Sequence, residues 1–160
     1  MQITNQTSPM KTVIISLLFV VGFTARAQTE EEIVEKRIDE ARKLFHFSQD
    51  YQAEMDKIVK DYPRSAYAWQ QKAMPLFKQG KYEYAMPFLD KAVALNPKLY
   101  MDYRAFMKCI FGKRYVEAIE DFKAAKKLSG NSYVMDHTYD FYIALSYLQL
   151  GRFAEAEQIL

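Results

Sequence analysis

Apolar residues along this chain recur at helical spacing. Val34, Ile38, Ala41 and Phe45 step by four, three and four positions. Ile119, Phe122, Ala125 and Leu128 step by three. Phe141, Ala144, Leu145 and Leu148 form an i, i+3, i+4, i+7 stripe. Each set falls on one side of a 3.6-residue helix, so each predicts an apolar helix face. Past residue 27 there is no clean period-2 run and no Asn-Gly or Asp-Gly hairpin signal. The pattern predicts eight helices, near 30–47, 49–61, 65–79, 82–95, 98–111, 114–129, 136–150 and from 153 onward. Gly80, Gly112, Gly130 and Gly151 each follow such a helix, where a left-handed residue commonly stops it.

The first 27 residues read differently. Lys11 precedes an apolar run from Val13 to Phe23, and Ala25-Arg26-Ala27 ends it with small residues at the two positions a signal peptidase reads. These are the parts of a secretory signal peptide, with cleavage near Ala27 and Gln28 as the first mature residue. An uncleaved anchor is the alternative, but the run falls short of the roughly 20 apolar residues a span needs. The expectation is an exported chain, periplasmic or secreted, that meets a membrane only through this leader. Its removal takes away Lys11 and Arg26 and no acid, leaving 20 basic and 20 acidic residues. A neutral mature chain offers no electrostatic case for nucleic acid. The single cysteine, Cys109, cannot form an internal disulfide and is expected to be a small buried residue.

The helices repeat. Gly80-Lys-Tyr82-Glu-Tyr-Ala85 returns as Gly112-Lys-Arg-Tyr115-Val-Glu-Ala118 and as Gly151-Arg-Phe153-Ala-Glu-Ala156. The small residues Ala85, Ala118 and Ala156 lie 33 and 38 positions apart. A two-helix unit with a period near 34 marks a solenoid.

Residues 66–99 resemble a tetratricopeptide repeat, through Trp69, Ala73, Gly80, Tyr82, Ala85, Leu89, Ala92 and Pro97. Residues 99–130 resemble it less, with Asp102 in place of the first aromatic. Residues 137–160 match through Ala144, Tyr147, Gly151, Phe153 and Ala156. The resemblance implies an all-α, right-handed helical-hairpin solenoid over residues 28–160. Its units are a degenerate repeat at 28–64, repeats at 65–97 and 98–130, and a partial one at 136–160. Leu160 falls inside the second helix of the last unit, so a truncated fragment is expected. Trp69, Ala73, Tyr82, Ala85, Tyr115, Ala118, Ala144, Phe153 and Ala156 are expected to pack the repeats together. Pro75 and Pro87 interrupt two helices and are expected to bend them. The 38-residue interval implies an insertion around Ser129–Met135.

Catalytic chemistry has little to build on. His46 and His137 are far apart and neither has metal-ligand spacing. No Walker loop, dinucleotide fingerprint or nucleophile elbow occurs. Asp136-His137-Thr138-Tyr139-Asp140 groups acid, base and hydroxyls, but neighbours at a helix start fan apart, and Asp136 reads as an N-cap. Lys123, Lys126 and Lys127 follow Glu117, Glu120 and Asp121 in the order a helix dipole favours, and read as a solvated face. The expectation is a non-enzyme with no cofactor, metal or small-molecule substrate. In the resembled family the first helix of each unit lines a concave groove. Carried over, the lining is Tyr67, Gln70, Met74 and Phe77, then Tyr100, Tyr103 and Met107, then Phe141 and Leu145. Aromatic and methionine side chains suit capture of a protein or peptide partner. Gln70 and Met74 replace the Lys and Asn of the family's carboxylate clamp, so a free C-terminus is not the expected ligand. The alternatives are a structural part of a larger envelope assembly, or of a longer protein whose functional domain lies beyond residue 160.

Overall fold

The computed structural model describes residues 29–159. The leader, its cleavage point, Gln28 and Leu160 lie outside them. Among the described residues eight α-helices form four successive hairpins: α1 (Glu30–Ala41) with α2 (Gln49–Asp61), α3 (Ala66–Lys78) with α4 (Tyr82–Leu95), α5 (Pro97–Phe106) with α6 (Tyr115–Ser129), and α7 (Tyr139–Gln149) with α8 (Phe153–Ile159). A π-helical turn, Met107–Phe111, extends α5, and a two-stranded ribbon, β1 (Tyr133–Val134) and β2 (His137–Thr138), precedes α7. No described helix is long and apolar enough to cross a membrane.

The first helix of every hairpin starts on a side-chain cap. Thr29 Oγ1 accepts from Glu32 N–H while Glu32 accepts from Thr29 N–H, and Ser65, Asn96 and Thr138 each accept from the amide three residues on. Each cap satisfies an otherwise orphan amide, worth about 1 kcal/mol. Gly80, Gly130 and Gly151 end their helices at φ near +70°. Gly112 does not. The π turn bonds its amide to Met107 C=O, and the left-handed residue is Lys113, at φ 55°.

Buried alanines sit where the helices of a hairpin pack. Ala73 with Ala85, Ala105 with Ala118, and Ala144 with Ala156 are all sealed from water. Three apolar clusters result, linked by shared side chains. Trp69 packs against the first and second, and Met101 and Phe106 against the second and third. Trp69 also donates its indole N–H to Pro63 C=O at 3.0 Å, fastening the end of one hairpin to the start of the next. This is the all-α hairpin stack expected of a solenoid, in which each unit packs on its neighbours.

Several expectations need correction. Helix α1 stops at Ala41, not 47: residues 43 and 44 close onto Glu40 and Ala41 with tight i→i+3 bonds, and Ser48 then caps α2. Phe45 therefore leaves the apolar face and is 72% exposed. Leu128, at the end of α6, is also exposed. The insertion before α7 holds the ribbon, paired Tyr133 to Thr138 and Val134 to His137, and so α7 starts at Tyr139 rather than 136. The stripe Phe141, Leu145, Leu148 is not the core face of α7. That face is Tyr139, Tyr142, Ile143, Ser146 and Tyr147. The tyrosines bury their rings because each hydroxyl finds a partner: Tyr139 donates to Asp102 at 2.8 Å, Tyr142 donates to Asp136 at 2.9 Å, and Tyr147 accepts from Lys123 at 2.8 Å. Pro75 and Pro87 lie inside the continuous helices α3 and α4.

Charge is buried between hairpins, which no apolar pattern announces. Lys72, one residue before Ala73, is almost wholly buried and reaches back to Asp56 of α2 at 2.9 Å, with its ammonium 4.7 Å from the Phe88 ring centre. Arg104, one residue before Ala105, likewise reaches back to Asp90 of α4 at 2.9 Å and forks onto both oxygens of Asp121 in α6 at 2.7 and 2.8 Å. Lys108 in the π turn meets the same Asp121 at 2.8 Å. Burial alone would depress the Arg104 pKa, but the bonds to Asp121 and Asp90 outweigh it and raise it. Removing one partner of such a cluster strands the others. Asp121→Ala is therefore expected to cost about 3–5 kcal/mol in urea unfolding. Glu155→Ala, which breaks the exposed Arg152–Glu155 pair, is expected to leave the urea midpoint nearly unchanged.

Candidate protein-binding groove

The four first helices stand side by side. Arg42, just past α1, donates to Tyr67 Oη at 3.2 Å and Gln71 Oε1 at 2.9 Å on α3. Tyr103 on α5 donates to Met74 Sδ on α3 at 3.2 Å and meets Phe77 edge-on at 6.5 Å. Between α5 and α7, Asp102 accepts from Tyr139 and the Phe106 ring meets Tyr142 edge-on at 5.5 Å. One wall of the stack is thus built from α1, α3, α5 and α7.

The register of that wall differs from the expected one. Ala105 takes the place of Ala73, since each is fully buried and lies seven residues before its glycine. Met101 then stands where Trp69 does, and both straddle two apolar clusters. Counted this way, Leu99, Asp102 and Phe106 correspond to Tyr67, Gln70 and Met74, and Tyr100, Tyr103 and Met107 are each one residue too far along. The burial agrees. Tyr100 is 9% exposed and Met107 is buried, while Leu99 is 60% exposed. Tyr100 and Met107 are packing residues, and Tyr103 is half-buried against Phe77 and Phe106. Phe77 is buried too, under Tyr82 and Tyr103. Tyr67, Gln70, Met74 and Leu145 are half-buried and Phe141 is exposed, as wall residues must be. The one-residue offset arises because Tyr115 stands three residues after Gly112, whereas Tyr82 stands two after Gly80, so counting back from Tyr115 overshoots.

Of the expected packing residues, Trp69, Tyr82 and Tyr115 are half-buried and Ala73, Ala85, Ala118, Ala144 and Ala156 are buried. Phe153 is 68% exposed instead. Its equivalents are covered by the following hairpin: Tyr82 stacks on Phe111 at 5.4 Å and Tyr115 bonds to Gln149 at 3.4 Å. Among the described residues no hairpin follows Phe153.

Phenols packed at and behind the wall stay neutral. Burial, with Glu31 and Tyr67 nearby, pushes the Tyr100 hydroxyl up, and burial alone does so for Tyr103. Burial and the bond to Asp102 raise Tyr139 to about 12. These groups stay protonated donors at neutral pH. The acid, base and hydroxyl groups at 136–140 do not converge, as expected for neighbours at a helix start. Thr138, not Asp136, caps α7; Asp136 turns away to accept from Tyr142. His137 lies against the Phe141 ring at 3.9 Å, and Asp140 holds Lys126 at 2.7 Å, so that lysine is tied down rather than free in solvent. Cys109 is buried beside Ser146, and burial raises its thiol pKa. Among the described residues no group of three or more His, Cys, Asp or Glu could hold a metal ion.

Residues 66–99 match the family model for the tetratricopeptide repeat. That segment is a tetratricopeptide repeat, and the hairpins around it continue the same fold. Solved structures of MamA superpose on most of the chain. MamA of MSR-1 gives a TM-score of 0.59 at 22% identity, covering 93% of this chain and 84% of that one. MamA of AMB-1 gives 0.60 at 22% identity, with the same coverage. Identities this low establish the shared fold and nothing finer. No curated protein matches the sequence.

The corrected register separates two adjacent residues sharply. Tyr100→Ala is expected to lower stability by about 3 kcal/mol, the cost of emptying a core aromatic site. Leu99→Ala is expected to change it by no more than about 0.5 kcal/mol. Thermal or urea unfolding of the two variants checks the assignment; equal losses would restore the original register.

Proposed function

We propose that this chain is a non-catalytic scaffold that holds a segment of another protein along the wall formed by its first helices. The observation that carries the reading is the composition of that wall. Tyr67, Met74, Phe106, Phe141 and Leu145 leave apolar area accessible, and Gln70 and Asp102 add polar contacts between them. Such a surface gives large contact area with a few orienting hydrogen bonds, and lacks the clustered cations that would read a terminal carboxylate. The tetratricopeptide repeat at 66–99 supports a protein partner in general. The export signal in residues 1–27 supports a cell-envelope or secreted setting.

A second reading rests on its own observation. The outer side of the last hairpin exposes Leu148, Leu150 and Phe153 as well as Phe141. That face suits stacking against a further structural element, as in a larger assembly.

Affinity capture from the native envelope fraction separates the two. Met74→Glu with Leu145→Glu places charge on the wall and is expected to abolish capture of partners retained by the unaltered protein. Leu148→Glu with Phe153→Glu, on the exposed face of the last hairpin, is expected to leave capture intact. Loss with that variant and retention with the wall variant would refute groove binding and favour the second reading.

A further inference from the structure

The turns inside the four hairpins lie at corresponding ends of the first helices and run along one edge of the stack. Their adjacency is direct. Phe47 and Ser48 share a shallow hollow with Gln79 and Lys81. Lys81 and Tyr84 share another with Phe111 and Gly112, and the Tyr82 ring stacks on Phe111. Tyr115 bonds to Gln149 beside the last turn.

Two kinds of side chain are left over on this edge. The first are exposed aromatics: Phe45 at 72% exposure, Tyr84 at 75%, Phe47 at 43%, and Phe111 at 42% although it stacks on Tyr82. Phe45 and Phe47 brace each other edge-on at 5.7 Å, which holds both on the surface. The second are cations that form no ion pair, although Asp56 and Glu83 share hollows with Lys81. Lys43, Arg114 and Arg152 are each paired with a carboxylate three residues away. No ion pair forms at Lys78, Lys81 or Lys113 among the described residues, and Lys81 meets only the neutral Gln79 amide. Lys78 and Arg42 also face His46; its burial and their charge hold its pKa below the ordinary value, so it adds no charge at neutral pH.

We propose that this turn edge seats on an anionic phospholipid surface, with Phe45, Phe47, Tyr84 and Phe111 entering the headgroup layer and Lys78, Lys81 and Lys113 lying at its phosphates. Separate aromatic prongs over shallow hollows fit a broad fluid surface better than a shaped protein partner. A ring inserted at the interface keeps its apolar body in the acyl boundary, and lysine stems reach the headgroups while their ammonium groups stay hydrated. Neither element anchors a protein alone; together they give reversible binding that depends on lipid charge. The edge is formed by helix ends, so seating it leaves the first-helix wall open to its protein partner.

Sedimentation of the full chain with vesicles tests this. Vesicles of phosphatidylcholine mixed with phosphatidylglycerol are compared with phosphatidylcholine alone, at low and high salt. The expected result is binding that needs phosphatidylglycerol and weakens with salt. Reversing the three lysines (K78E, K81E, K113E) is expected to lower partitioning at least about 100-fold, at roughly fivefold per basic residue at the surface. Phe45→Ser with Tyr84→Ser and Phe111→Ser should weaken it without removing the salt dependence. Circular dichroism establishes that each variant is folded; where charge reversal unfolds the chain, Lys→Gln at the same three positions replaces it. Binding through the leader would be indifferent to these substitutions, so equal sedimentation of folded variants and unaltered protein overturns the proposal. So does failure to bind phosphatidylglycerol vesicles, including the case in which the edge lysines bind an acidic polypeptide instead.

Discussion

Close approach of the two helices in the second, third and fourth hairpins is the constraint from which the rest of the structure follows. Alanine at 73, 85, 105, 118, 144 and 156 is sealed from water there. Where backbones come this near, the large residues are displaced to the hairpin flanks. There Trp69, Met101 and Phe106 bridge one apolar cluster to the next. The stack is therefore held by contacts between neighbours, and the first helices are brought into a single wall as a consequence.

Burying cations at the junctions is less expected and adds direction to the stacking. Lys72 and Arg104 occupy equivalent places and each reaches back to an aspartate on the preceding hairpin. The two links are unequal. Asp56 is largely exposed, so its bond to Lys72 is screened by water. Arg104 and Lys108 converge on Asp121, which is itself buried, so the charges compensate one another in a medium of low dielectric. The third hairpin is thus pinned internally and to the second by the same guanidinium.

The hairpin architecture was legible where alanine, aromatic and glycine recur in phase, above all at Ala73–Gly80–Tyr82–Ala85. It failed by one residue at 99–107, because the longer turn at Gly112–Arg114 displaces Tyr115 relative to Ala105 and shifts any count made backward from it. Counting six back and one on from Ala105 would have found Leu99 and Phe106. The core face of α7 was missed for a different reason. Tyrosine scores as half-polar in a periodicity count, yet Tyr139, Tyr142 and Tyr147 are buried because their hydroxyls find partners from other segments. The same holds for Lys72, Arg104 and Lys108, whose partners lie on other helices and carry no local signature. A basic residue immediately before a packing alanine was the one visible clue.

A wall of accessible apolar side chains between orienting polar groups is what the fold presents to other molecules. Its role is tested most directly by placing a benzophenone photocrosslinker in turn at Met74, Phe106 and Leu145, and at Ala94 as the opposite face, then irradiating the protein in its native extract. The account predicts discrete adducts from the three wall positions and none from Ala94. Adducts from Ala94 alone would contradict it.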